Sequence, residues 1–217
     1  EAFDAMPAIY VADGHHRSAA GSRVGNARRE GNPEHTGEES YNHFLSVIFA
    51  HDQMQILDYN RVVRDLNGLS RDAFLASVGS AFDLELSGEP VRPAQVGEFG
   101  MYLGGQWYRL KIHDELIPTG DPVARLDVSL LQDNLITPIL GIDDPRRDDR
   151  IDFVGGIRGL AALEKRVDSG DWAVAFALYP TTMQALMDVA DAGEVMPPKS
   201  TWFEPKLADG LVSHVLD

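Results

Sequence analysis

The chain has 217 residues, enough to bury a real core, and its 44% hydrophobic content with an unbiased residue mix describes an ordinary folded protein. It carries 19 Lys and Arg against 34 Asp and Glu, a formal net charge of -15 that argues against DNA or RNA as a partner. No apolar run approaches the ~20 residues of a membrane span, and no secretory signal opens the chain. Cysteine is absent, which removes disulfides, thiolate metal sites and cysteine nucleophiles and fits a reducing, cytoplasmic setting.

Residues 8–12 are a short run of apolar β-formers and are expected to form a buried strand. It starts almost at once after Glu1, so the chain is expected to be a processed or incomplete piece of a longer one. Asp13-Gly14 breaks the run, and residues 15 to about 29 favour a helix with a thin apolar stripe of Ala19, Ala20 and Val24. Residues 31–39 are polar and rich in turn formers, hence a loop. Residues 43–50 and 54–63 read as two more strands. Ser70 reads as an N-cap for a helix that buries Phe74, Leu75 and Val78. Gly104-Gly105, between two β-forming runs, marks a hairpin, and a helix is expected over 124–135.

The final third alternates. A strand over 150–154, a turn at Gly155-Gly156 and a helix over 157–167 with Leu160, Leu163 and Val167 on one face precede a strand over 172–179. Thr181 and Gln184 have the spacing of a capping box for a last helix ending near Gly193. The expected fold is α/β or α+β, a mixed sheet with flanking helices and an antiparallel hairpin, in one compact unit spanning 1–217.

Three stretches have the residues for chemistry. Asp13-Gly14-His15-His16-Arg17 lies between a strand and a helix, where helix-end amides and side chains can converge on an anion. Arg17 can fork onto a phosphate, and His15 and His16 can donate to an oxyanion or move a proton. Asp13 can accept a hydroxyl proton or hold Mg²⁺. Arg150-Ile151-Asp152-Phe153-Val154-Gly155-Gly156-Ile157-Arg158-Gly159 repeats the strand, glycine turn and helix, and would offer the amides of Gly155 and Gly156 with Arg158 beside them. It is neither a Walker A sequence nor a dinucleotide fingerprint, and a tight structural turn explains it equally well. Lys199, Ser200 and Thr201, behind Pro197-Pro198, present a cation and two hydroxyls, with Trp202 and Phe203 suited to stacking or to a core. Asp58-Tyr59-Asn60-Arg61 is a weaker candidate at a strand end. His43, His51, His113 and His214 lack metal-ligand spacing. Arg146, Arg147 and Arg150 are interrupted by acids and read as a solvated turn.

Four phrases, Tyr10 to Arg17, Asp58 to Arg61, Arg150 to Gly156 and Met196 to Phe203, together resemble the uncharacterised family called domain of unknown function 1015, whose longer members imply that this chain is their C-terminal part. The Asp-Gly-His-His-Arg turn is also similar to one in free-serine kinases of the ParB/sulfiredoxin-like superfamily. That similarity implies phosphoryl transfer from ATP or ADP, with Mg²⁺, onto a small hydroxyl metabolite such as L-serine. Asp13 would then serve the hydroxyl or the metal, and His15, His16 and Arg17 would hold phosphate oxygens. The kinases carry a catalytic glutamate upstream of the turn, whereas only Glu1 and Asp4 precede Asp13 here. The alternative is a nucleotide- or phosphate-sensing module without turnover. DNA partitioning of the ParB type is disfavoured by the charge and by the lack of a basic helix-turn-helix. The oligomeric state is not legible.

Overall fold

A computed structural model describes residue 3, residues 5–208 and residues 210–215, with His16 described for its backbone only. The chain divides into two compact units, Glu1–Gln55 with Phe203–Asp217, and Ile56–Trp202, and not the single unit expected. Both passages between them are short strands, β1 (Gln55–Leu57) and β8 (Trp202–Glu204), so no change of composition marks the boundary.

In the first unit the main element is helix α1, His15–Gly31. The expected stripe is not buried, since Ala19 and Val24 are exposed; the buried position is Gly25. A Cβ there would stand 3.0 Å from the Tyr41 carbonyl, so glycine allows the turn Ser40–Asn42 to approach the helix backbone. Tyr41 is buried, and its hydroxyl accepts from Asn32 Nδ2 at 3.1 Å and lies 3.0 Å from His35 Nδ1. Glu39 closes the loop by accepting the Thr36 and Gly37 amides, which hold its carboxyl down at about 2. Residues 8–12 and 43–50 do not form the strands expected of them. They pair with no strand among the described residues, and Ile9, Val11, Phe44, Leu45, Val47 and Ile48 are exposed. Strand propensity needs a hydrogen-bonded neighbour to be realised.

The second unit is a six-stranded sheet in the order β3-β5-β4-β7-β2-β6. Its strands are β2 (Tyr59–Val63), β3 (Phe82–Ser87), β4 (Glu98–Leu103), β5 (Gln106–Ile112), β6 (Ile151–Gly155) and β7 (Val174–Leu178). All neighbouring pairs are antiparallel. Because β2 is antiparallel to both β6 and β7, those two strands run the same way, joined by helix α4 (Ala161–Asp168) with β2 inserted between them. The alternation in the last third is therefore a split crossover. The hairpin turns at Gly104 and Gly105, with φ of 56° and 80°, the left-handed pair that such a two-residue turn requires.

Helices cover both faces of this sheet. On one face α2 (Arg71–Val78), α3 (Asp127–Leu131, continued by a π-helical turn Gln132–Ile136) and α5 (Met183–Asp191) bury Phe74, Val78, Leu131, Ile136 and Val189 against Phe99, Met101 and Phe176. On the other, α4 packs Leu163 and Val167 against Val62, Ala175 and Trp107, as its spacing predicts. Trp107 Nε1 donates to Glu164 at 2.8 Å and Tyr102 donates to Asp168 at 2.9 Å, pinning α4. Ser70 caps α2 through the Ala73 amide at 3.2 Å. The cap of α5 is Thr182, which accepts from Ala185, one residue beyond the expected Thr181. Thr181 instead donates to the Ser200 carbonyl, and Gln184 donates to Asp188. Among the described residues, no helix is long and apolar enough to cross a membrane.

One buried carboxyl opposes the fold's stability. Asp127, at the start of α3, is 8% exposed; its Oδ1 accepts the Gly97 amide at 2.9 Å, and its Oδ2 has no partner among the described residues. Burial pushes this carboxyl up to about 7. A raised carboxyl means that the folded state holds the proton more tightly, so stability is lost as pH rises from about 4 to 7. Asp127→Asn keeps the Gly97 acceptor without the charge. Denaturant melts should show no gain for the variant near pH 4, a gain growing to roughly 4 kcal/mol by pH 7, and a plateau above it.

Candidate functional site

In the first unit the Asp13 turn is built by Gly14, which caps α1 at φ 92°, a left-handed conformation open to glycine. The cap has no side-chain hydrogen bond and the first helical turn has no acidic residue. Among the described residues, the first helical amide with a backbone acceptor is that of Ser18, which donates to the Gly14 carbonyl at 2.9 Å. The amides before it point out of the helix end, where the macrodipole is positive. The Arg17 guanidinium curls back over Gly14, so that a Cβ at Gly14 would stand 3.1 Å from Nη2. His15 and Arg17 are exposed, while the side chain of His16 lies outside the described residues, as do Glu1 and Asp4.

Asp13 shapes this turn. Its Oδ1 accepts the Gly14 amide at 2.8 Å and its Oδ2 pairs with Lys206 Nζ at 3.1 Å. Partial burial works upward on the carboxyl, but Lys206, the Gly14 amide and Arg17 outweigh it and hold the group below its ordinary range. A carboxylate held low by an ammonium is a poor proton acceptor. Asp13 faces the Lys206 ammonium, and no three His, Asp or Glu side chains group together among the described residues. Arg17 and Lys206 place two cations around this helix end.

The second unit brings three other stretches together. Tyr59 on β2 lies edge-on to Phe153 on β6, with centroids 6.0 Å apart, and 5.6 Å from Trp202. Arg61 is 4% exposed, donates to the carbonyls of Tyr59 and Lys199, and stands over the Phe153 ring at 5.4 Å. No carboxylate pairs with it among the described residues. Burial brings its pKa down to about 10, so it remains charged at neutral pH. Lys199, held at φ 57°, places its ammonium 5.7 Å from the centre of the Tyr59 ring. The cluster offers two cations and three aromatic faces, groups suited to phosphate and to base stacking.

The expected roles of several neighbours change. The Gly156 amide is committed to the Asp58 carbonyl at 2.8 Å, and a Cβ at Gly156 would stand 2.2 Å from the Asp58 carboxylate. A Cβ at Gly155 would meet Trp202 at 2.6 Å. These glycines admit close packing by Trp202 and Asp58, not an approaching phosphate. Ser200 is buried, donates to the Pro197 carbonyl at 2.7 Å and so presents no hydroxyl. Thr201 is half-buried and Arg158 is exposed. Arg146 and Arg150 pair with Asp144 and Asp148, as a solvated turn requires.

The family model described as protein of unknown function, DUF1015, matches residues 1–129, more than half of the chain. No curated protein matches the sequence. Among solved structures, a free serine kinase in complex with AMP is similar at 15% identity and a TM-score of 0.48, over 89% of this chain and 66% of that one. A mutant of a free serine kinase in complex with ADP gives 15% and 0.46 over the same shares. A conserved hypothetical protein from Pyrococcus furiosus gives 15% and 0.46, over 89% of this chain and 68% of that one. The chain thus spans about two thirds of the length of these proteins.

The packing at the glycine pair has a measurable consequence. Gly155→Ala should lower stability by about 1–3 kcal/mol, and Trp202→Ala, which empties the space, should recover part of that loss in the double variant. Thermal melts of the four proteins give the coupling; strictly additive losses would contradict the close approach.

Proposed function

The chain belongs to the DUF1015 family of proteins of unknown function, and we propose that it binds a nucleotide for phosphoryl transfer to a small hydroxyl metabolite. The observation that carries this reading is the uncapped start of α1, with Gly14 at φ 92° and Arg17 folded over it. A helix end of this kind binds phosphate oxygens through free amides and the positive end of the dipole. Arg17 adds a planar fork that matches two oxygens at once. Asp13 turns the Gly14 amide into place and brings Lys206 to the same turn. ATP or ADP would be held there by its phosphates. The cluster of Tyr59, Trp202 and Lys199 belongs to the second unit and groups two aromatic rings with a cation of its own. Free L-serine is the first acceptor to test, because the Asp13 turn is similar to that of free-serine kinases.

The pairing of Asp13 with Lys206 favours a second reading, a nucleotide- or phosphate-binding module without turnover, since it engages the Asp13 carboxylate. Calorimetric titration with ADP and with inorganic phosphate separates binding from no binding. Arg17→Ala should weaken ADP by ten- to a hundredfold, the range of a charge-assisted contact. Phosphorus NMR of the protein with ATP or ADP and L-serine then separates the two readings, phosphoserine supporting transfer. ADP binding that ignores Arg17→Ala would sink both.

A further inference from the structure

The second unit buries a positive charge that its own residues do not answer. Arg61 is more than nine-tenths buried, and its Nη1 and Nη2 donate only to the carbonyls of Tyr59 and Lys199. Its Nε donates to nothing among the described residues, yet it is not sealed in. Among them, Asp127 Oδ2 is the one side-chain nitrogen or oxygen both enclosed and without a partner. The acids close by in sequence are engaged elsewhere. Asp58 accepts from Asn60 Nδ2, and Asp152, which alternates with Phe153 on β6 and so lies on the other face, pairs with Arg166. Three rings surround the guanidinium's side of the sheet. Phe153 stands directly opposite Arg61 in the β2–β6 register, and Tyr59 stands opposite Gly155, against which Trp202 packs. All three rings are half-buried, so part of each stays open, and Lys199 is exposed beside them.

A guanidinium in a low-dielectric setting attracts an anion more strongly than one in water, and its hydrogen bond to a carboxylate is stronger than one to a carbonyl. Two carbonyls already occupy part of the fork, which leaves Nε for one small anion. A carboxylate brings a single negative charge and a planar pair of oxygens. A phosphate dianion brings a second charge, which the two carbonyls would oppose, and a neutral amide leaves the guanidinium unanswered. Three partly open rings favour an aromatic body over a bare anion such as acetate. We propose that this cluster binds a small aromatic monocarboxylate, its oxygens taking Arg61 Nε and the Lys199 ammonium and its ring lying against Tyr59, Phe153 and Trp202. The cluster lies in the second unit, so the proposal does not depend on phosphate binding at the start of α1.

The test is calorimetric titration of the 217-residue chain with benzoate and with phenylacetate at pH 7. At least one of them should bind. Benzamide, which lacks the charge, and acetate, which lacks the ring, should each bind roughly tenfold more weakly or worse, and phenyl phosphate more weakly than benzoate. Arg61→Gln keeps a donor and removes the charge, and should weaken benzoate by roughly tenfold or more. Lys199→Gln, at an exposed position, should weaken it by about two- to fivefold. If Arg61→Gln does not fold, the four comparisons on the unaltered chain and Lys199→Gln carry the test. No binding of either aromatic carboxylate overturns the proposal. So does benzamide, acetate or phenyl phosphate binding as tightly as benzoate, or benzoate affinity unchanged in every folded variant.

Discussion

The buried side chain of Asn60 joins the three strands around which the second unit is organised. It lies on β2, its Oδ1 accepts the Leu178 amide at the end of β7, and its Nδ2 donates to Asp58. Asp58 in turn takes the Gly156 amide on its carbonyl, where β6 ends. A fully buried amide must satisfy its hydrogen bonds internally, so these contacts fix the register of β2 between its neighbours. Tyr59 and Arg61 flank Asn60 and therefore emerge at defined places, over Phe153 and under the Lys199 carbonyl. Without that pin, the aromatic and cationic cluster would have no fixed geometry.

Charge is distributed against the average of the molecule. In a chain of net charge -15, cations gather at two places. At the Asp13 turn the helix end adds its own positive potential to Arg17 and Lys206. At Arg61 the charge is stabilised by two carbonyls and an aromatic face, weaker partners than a carboxylate. Elsewhere arginines are neutralised locally, as at Arg166 with Asp152 and Arg125 with Asp188.

Much of the second unit was legible because its signals are local. The Ser70 cap, the Gly104-Gly105 hairpin and the Leu163 and Val167 stripe each need only a few adjacent residues to act. What was not legible depends on partners far along the chain. Residues 43–50 have strand composition, but composition does not supply a neighbour to pair with. Gly155 and Gly156 resemble a phosphate loop in sequence, and only the positions of Trp202 and Asp58 reveal why a side chain is excluded. Arg61 was legible as a polar strand-end residue, but its burial beneath a segment 138 positions away was not. Asp127 looks like any first-turn acid until its second oxygen is found enclosed.

The ion pair that completes the Asp13 turn spans 193 positions of sequence. The second unit is one continuous stretch, Ile56–Trp202, and a ribosome has delivered all of it before Lys206 appears. Its sheet can therefore close while the turn near the start of the chain still lacks its ammonium partner. The Asp13 turn is thus completed only after the second unit has been made, although its own first residues precede that unit.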